Sequence, residues 1–168
     1  RCNVGGATGG STTTVSVAAG STVSFTADQA VYHKGPISFY LSKAPSSAAS
    51  YDGSGDWFKI KEIGPSFSGG QSKWDMSSKS FSTCCLISLT QLRTGTYSVT
   101  IPSQVAAGEY LLRIEQLGIH NPGSPPQFYI ACAQVKITGS GSGKPSPVVK
   151  IPGHVKSTDS GYTANIYS

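Results

Sequence analysis

The chain has 168 residues, of which 12% are charged, and its formal net charge is +5. This length is enough for one domain with a substantial core, and the 20 glycines and 10 prolines favour an all-β domain with many turns over a helical one. The sequence has neither a run of roughly 18 apolar residues that would span a membrane nor an arginine-rich cluster of the kind that binds nucleic acid, so it argues against both kinds of partner.

The first strands are predicted shortly after an irregular Gly- and Thr-rich start. Val15–Val17 and Thr22–Thr26 alternate apolar and polar residues on either side of a turn that contains Gly20. This pattern predicts a β-hairpin in which Val23 and Phe25 face inward.

Two longer strands are predicted next, at Pro36–Ser42 and Trp57–Ile63. The first of them would bury three alternating apolar side chains: Ile37, Phe39 and Leu41. The loop before it carries His33, and the Gly- and Ser-rich segment Gly64–Asp75 is predicted to be a loop.

The second half of the chain predicts three more strands, at Tyr97–Pro102, Tyr110–Glu115 and Gln127–Ile137. Residues 139–168 begin with a Gly/Ser run and read as a C-terminal loop or extension. About seven short strands with regular turn signals predict a two-sheet β-sandwich, which would form a single domain over residues 1–168.

The stretch 118–132 combines a loop histidine, His120, with a β-forming segment. Because side chains alternate along a strand, three apolar residues share one face: Phe128, Ile130 and Cys132. Gln127 and Tyr129 share the other face, which we expect to lie away from the core. A polar pair beside a histidine is a candidate site; the alternative is an amphipathic strand with a solvated outer face.

The four cysteines have no CxxC spacing, which argues against a zinc site. Cys2 and Cys132 are far apart in sequence and suit a long-range disulfide in a secreted protein. Cys84 and Cys85 are adjacent, which suits neither an ordinary disulfide nor a metal chelate.

Several enzyme classes lack their sequence signals. There is no G-x-S-x-G nucleophile motif, no evident pair of catalytic carboxylates and no Gly-rich phosphate loop before a helix. A lone loop histidine such as His33 is more often a surface residue than a ligand, although imidazole with oxygen ligands would suit copper.

The combination of motifs along nearly the whole chain resembles the fungal AA9 lytic polysaccharide monooxygenases. The resemblance implies an immunoglobulin- or fibronectin III-like β-sandwich with long loops and a secreted, monomeric copper enzyme. Such an enzyme takes electrons from an external donor and oxidatively cleaves cellulose or other β-glucans. The motifs that carry the resemblance are His33–Pro36, Gly108–Glu115, His120, Gln127–Tyr129 and Lys150–Gly153.

The resemblance also implies a role for individual residues. His33 corresponds to a copper-binding histidine and Tyr129 to the axial tyrosine of the copper site. His120 and Gln127 correspond to the pair that hydrogen-bonds the oxygen species at copper. Two further correspondences concern the surface and the disulfide: His154 and Tyr162 are candidates for contact with glucan, and Cys2 is paired with Cys132.

Three departures from the family pattern generate further expectations. The other copper ligand of the family is an N-terminal histidine, whereas this chain starts at Arg1, whose guanidinium offers no lone pair. We therefore expect a truncated chain with an incomplete copper site and no activity. Residues 83–94 are predicted to be an unusual insertion, and Ser168 is expected to be an early end.

Two rival interpretations remain open. One is a secreted sandwich that binds polysaccharide without cleaving it, because it has lost part of the metal site. The other is a purely structural secreted sandwich in which His33 and Tyr129 are ordinary surface residues.

Overall fold

The computed structural model describes residues 1–7, 9–27, 31–68, 71–74 and 95–166. Within these ranges the regular structure is almost entirely β, apart from a 3₁₀ turn at Ala48–Ser50 and the four-residue helix α1 at Ser160–Thr163. No described helix is long and apolar enough to cross a membrane. The strands are β1 (Thr14–Ala18), β2 (Thr22–Thr26), β3 (Ile37–Lys43), β4 (Phe58–Ile63), β5 (Ser66–Ser68), β6 (Gln71–Lys73), β7 (Thr96–Thr100), β8 (Gly108–His120) and β9 (Ser124–Thr138).

The strands form two main sheets, which confirms the predicted all-β, two-sheet sandwich. The larger sheet has the order β1-β9-β8-β3-β4, and the smaller consists of β2 and β7. Neighbouring strands are antiparallel except for β1 and β9, which pair in parallel. The strands β5 and β6 form a separate hairpin.

The main core lies between the two sheets. The predicted inward residues of β3 are at most 1% exposed and belong to one buried cluster with Val99 of β7 and Val135 of β9; they are Ile37, Phe39 and Leu41. Each such side chain contributes about 1.5–3 kcal/mol to folding by leaving water. The period-2 pattern of the sequence therefore identified this core.

The predicted hairpin between β1 and β2 is wrong. After Gly20, which has a positive φ of 88°, the chain crosses from the large sheet to the small one. Gly20 donates its N–H to the carbonyl of Ile101, just beyond the end of β7, rather than closing a hairpin turn. The inward orientation predicted for Val23 and Phe25 is confirmed, since both contact the core.

Two loop predictions also need correction. The segment predicted as a loop at Gly64–Asp75 contains the hairpin β5–β6. The strand predicted at Tyr110–Glu115 continues to His120, where a tight turn at residues 121–123 leads into β9. Glycine and proline favour loops, but main-chain pairing continues past Gly118 and the prolines at 125 and 126, with one irregularity between Gly118 and His120.

The outer face of the large sheet is covered by both ends of the chain. Cys2 and Cys132 form the disulfide implied by the resemblance, which attaches the first residues to β9. Ile151 packs into the same cluster around Trp57, and Ile166 packs in a third cluster at the far end of β8. The predicted insertion at 83–94, with its cysteine pair, lies outside the described residues.

Candidate functional site

Four residues singled out in the sequence come together at one end of the β8–β9 hairpin. His120 is the last residue of β8, and Gln127 and Tyr129 lie near the start of β9. His33 reaches them from the loop that precedes β3. Residues almost 100 positions apart in sequence thus line one small surface.

The rings of His120 and Tyr129 both lie against the ring of His33. The His33 ring is stacked on that of Tyr129, with centroids 5.5 Å apart and planes inclined by 16°. The His120 ring meets His33 edge-on at a centroid distance of 4.5 Å. Two imidazoles and a phenol therefore converge at the surface.

The backbone of β8 determines how closely these rings can approach. A Cβ on Gly118 would lie 3.1 Å from Cε2 of Tyr129 and 3.3 Å from Cβ of His33, which is tighter than ordinary contact. The side chain of Gln116 donates a hydrogen bond of 2.6 Å to the carbonyl of His33. The missing side chain makes room for the rings, and the amide holds the histidine loop in place.

Gln127 links the histidine and the tyrosine by hydrogen bonds. Its Oε1 accepts a hydrogen bond of 2.8 Å from the hydroxyl of Tyr129. The same oxygen lies 3.0 Å from Nε2 of His120, which donates when that nitrogen carries the proton. One amide oxygen thus orients both a phenol and an imidazole.

The surroundings of His33 favour its neutral form. Partial burial lowers the pKa of His33 from its ordinary value, and the neighbouring His120 lowers it further. A neutral imidazole has a free nitrogen lone pair, which is the form that binds metal ions.

The site lies on the core face of β9, so the expectation that it lies away from the core is wrong. Gln127 and Tyr129 have the same parity along the strand as the core residues Val135 and Ile137. On this face the main core extends along the hairpin to Ile114 of β8 and Val135 of β9, and the site lies beyond them on the same face. Phe128, on the other face, is 41% exposed.

An apolar groove of about 450 Å³ adjoins the site. Tyr32, His33 and Tyr129 line it together with aliphatic and aromatic side chains of the core edge. Tyr32 is 71% exposed, and its ring lies 4.3 Å from that of His33.

Sequence reasoning missed Gln116, Gly118 and Tyr32 as parts of the site. Gln116 and Gly118 both lie on the same face of β8 as His120, so parity would identify them once the strand is known to continue to His120. Tyr32 is adjacent to His33 in sequence, but no periodic pattern distinguishes it from other loop tyrosines.

The two residues considered for glucan contact occupy different environments. The His154 side chain is 6% exposed, and its Nε2 lies 3.0 Å from Glu115. The surface position expected for His154 is therefore not observed, because a buried carboxylate on β8 draws the imidazole inward. Tyr162 is half-buried, and its carbonyl accepts a hydrogen bond from Asn121.

The donor chemistry of the site fits copper, although the ligand set is small. An imidazole nitrogen and a phenol oxygen are donors that copper accepts, and His33 and Tyr129 provide one of each. Across the ranges that the structure describes, no three His, Cys, Asp or Glu side chains form a metal-binding group. His33 and Tyr129 would hold the ion, with His120 and Gln127 beside it.

A protein-family model described as "Auxiliary Activity family 9 (formerly GH61)" matches residues 1–168. The chain is 55% identical over 170 residues to AA9 family lytic polysaccharide monooxygenase E of Podospora anserina, covering 100% of the chain and 51% of that relative. It is 50% identical over 171 residues to AA9 family lytic polysaccharide monooxygenase A of Botryotinia fuckeliana, covering 100% and 48%. The chain thus spans about half the length of these relatives.

Solved structures agree with the sequence comparison. The fold matches a cellulose-active polysaccharide monooxygenase from M. thermophila with a TM-score of 0.81 and 34% identity, covering 100% of this chain and 72% of that one. It matches HiLPMO9B with a TM-score of 0.80 and 33% identity, covering 99% and 71%.

Proposed function

Because the chain belongs to Auxiliary Activity family 9, we propose that it takes part in the copper-dependent oxidative cleavage of cellulose or related β-glucans. The observation that carries the proposal is the convergence of His33, His120 and Tyr129 on one surface, with Gln127 bonded to two of them. A surface pocket of imidazole and phenol donors suits a metal that must meet a large external substrate.

In this proposal His33 and Tyr129 hold the metal. His33 offers a neutral imidazole nitrogen because its pKa is lowered by burial and by His120. Tyr129 brings its hydroxyl to the same surface, fixed by the hydrogen bond to Gln127. Copper, when bound, would supply the one-electron redox chemistry that activates oxygen or peroxide.

His120 and Gln127 orient polar groups beside the metal position. The contact between Nε2 of His120 and Oε1 of Gln127 fixes the imidazole orientation. An imidazole held in this way can store a proton and release it to a small oxygen-containing group in the pocket. Gln127 holds the Tyr129 hydroxyl and the His120 imidazole in fixed positions relative to each other during the proton transfer.

The described donors alone make a weak copper site. One imidazole and one phenol are fewer donors than a square-planar copper(II) site requires. We therefore expect the 168-residue polypeptide by itself to bind copper weakly and to cleave no polysaccharide until a further nitrogen donor completes the site.

The biological setting that we propose follows the same family. The chain acts as one secreted, monomeric sandwich domain over residues 1–168, with 139–168 as an outer extension. An external donor supplies electrons to the domain, and a β-glucan surface is its substrate. The disulfide between Cys2 and Cys132 suits an oxidising extracellular compartment.

A copper titration followed by electron paramagnetic resonance and a cellulose assay tests the proposal. Three polypeptides are compared: the 168-residue chain, its His33→Ala variant, and a longer polypeptide in which a histidine-initiated segment precedes Arg1. We expect weak copper binding that H33A abolishes, and oxidised oligosaccharides only from the longer form. Tight copper binding unaffected by H33A would overturn the assignment of His33.

The small ligand set favours a second candidate function, a secreted module that binds glucan without cleaving it. Such a module would sediment with cellulose in the presence of a copper chelator. Loss of sedimentation on chelation, together with oxidised products from the completed form, would exclude it.

A further inference from the structure

A second groove lies at the opposite end of the hairpin from the candidate site. It has a volume of about 500 Å³ and is lined by the start of β4, the start of β8 and residues 143–147. Tyr110 in its wall precedes His120 by ten residues on β8. Because a strand rises about 3.3 Å per residue, about 33 Å of strand separates this groove from the candidate site.

The charged residues that line the groove are all positive. Lys43, Lys59 and Lys144 line it, whereas no Asp or Glu does. Lys59 is ion-paired with Glu62. In the described part of the chain, neither Lys43 nor Lys144 has a carboxylate within ion-pair distance, and both are exposed. The lining therefore has two ammonium groups available to an anion.

The remainder of the lining is apolar and aromatic with a few amide and hydroxyl groups. Tyr110 is a core residue, 3% exposed, whose ring centroid lies 6.0 Å from Nζ of Lys43. Phe58 is half-buried and contributes an accessible aromatic surface, while Gln104 and Ser146 offer hydrogen-bonding groups. Apolar faces with a few fixed polar groups are typical of small-ligand pockets.

We propose that this groove binds a saccharide that carries carboxylate groups, such as a short uronic acid oligomer. Lys43 and Lys144 pair with its carboxylates, and the half-buried ring of Phe58 contacts the apolar face of a sugar ring. Charge complementarity requires the anion; the choice of a saccharide over another anion rests on the proposed action on polysaccharides. The contact would hold the protein on acidic cell-wall material from the end remote from the candidate metal site.

Calorimetry with a trimeric uronic acid oligomer tests this proposal on the 168-residue chain. The double variant K43Q/K144Q removes the two available ammonium groups, and K136Q/K156Q is a matched control that removes the same charge from exposed lysines outside the groove. We expect the groove variant to bind about tenfold more weakly and the control to change less than about twofold. Raising the salt concentration from about 0.05 M to about 0.3 M should weaken binding of the oligomer by the wild-type chain, because salt screens the charges.

Equal losses in the two double variants would overturn the proposal in favour of a bulk charge effect. Competition by polyglutamate as effective as that of the uronic acid oligomer would overturn the saccharide assignment, and so would equal binding of a neutral cello-oligosaccharide. The measurement requires neither copper nor catalysis. Failure of this measurement therefore does not contradict the proposed function. Failure of the copper titration would remove the reason for preferring a saccharide, but not the expected binding of an anion by Lys43 and Lys144.

Discussion

Nε2 of His154 lies 3.0 Å from Oε1 of Glu115, and both side chains are almost completely buried. Oε2 of the same carboxylate accepts a hydrogen bond of 2.6 Å from Arg113, which is 1% exposed. The C-terminal segment is thus attached to β8 through a carboxylate shared between an imidazole and a guanidinium. Removing a member of such a buried group leaves a charge without its partner, which costs far more than breaking an exposed pair.

Replacing Glu115 with Gln should therefore destabilise the fold by about 3 kcal/mol, because the charge of Arg113 would remain buried without an anion. The matched control is Glu62→Gln, which breaks the half-exposed pair with Lys59 and should cost less than about 1 kcal/mol. Urea denaturation measures both. Equal effects of the two substitutions would contradict a special role for the buried carboxylate.

The same carboxylate should make stability depend on pH. Burial acts to raise the pKa of Glu115, but the hydrogen bond from His154 and the charge of Arg113 outweigh it, so the folded-state pKa is lowered. Its contribution to stability is present above the unfolded pKa of about 4.3 and is lost as pH falls through the folded value, because the unfolded state then binds more protons. The stability gap between wild type and E115Q should narrow between pH about 5 and about 3, measured by urea denaturation at each pH. A gap that widens on acidification would contradict this sign.

The disulfide should be the largest single stabilising cross-link in the described chain. Cys2 and Cys132 close a loop with a sequence separation of 130, for which chain entropy predicts about 4 to 5 kcal/mol. The double variant C2S/C132S should therefore melt well below the wild type under oxidising conditions. Reducing agent should lower the wild-type melting temperature and leave that of the double variant nearly unchanged, and a similar drop in both would point to another cause.

Gln127→Ala should weaken copper binding although Gln127 is not a proposed ligand. It would release both the hydroxyl of Tyr129 and Nε2 of His120 from their shared acceptor. Loss of such an orienting partner typically costs about 10- to 100-fold in metal affinity. Calorimetric titration with copper should show this loss, and His33→Ala should show a larger one. An affinity unchanged by Q127A would exclude the orienting role.

Gly118→Ala should disturb the site with little effect on the fold. Its added methyl group would press on the ring of Tyr129 and the Cβ of His33, at 3.1 and 3.3 Å. Gly64→Ala is the control, because a Cβ there would meet nothing within 4 Å. We expect G118A to weaken copper binding several-fold more than G64A, with similar urea midpoints for the two. A similar copper affinity in both variants would mean that the rings have room to shift.

Much of the fold followed from local pattern. The alternation in Pro36–Ser42 identified the inward residues of β3, and the shared parity of Gln127 and Tyr129 was sufficient to put them on one face. These features depend only on the geometry of a single strand.

What the sequence did not predict depends on contacts between distant segments. The partner of β1 is β9 rather than β2, because the strand after Gly20 joins the other sheet. His154 is buried because it meets Glu115 across a gap of 39 residues, and no local pattern encodes that encounter. The residues His33, His120, Gln127 and Tyr129 were predicted from the family resemblance and from their residue types. Gln116 and Gly118 could be assigned to the site only once β8 was known to continue to His120.

The parallel pairing of β1 with β9 has a consequence for the order in which the chain can fold. Residues 14–18 find their hydrogen-bonding partners only at residues 134–138, so the large sheet stays open until residue 138 has been synthesised and has left the ribosome. Folding should therefore be slow, on the order of milliseconds to seconds, as for other sandwiches dominated by non-local pairing. During that interval β1 presents an unpaired edge to its surroundings, and early engagement of Cys2 with the wrong thiol would be the main hazard.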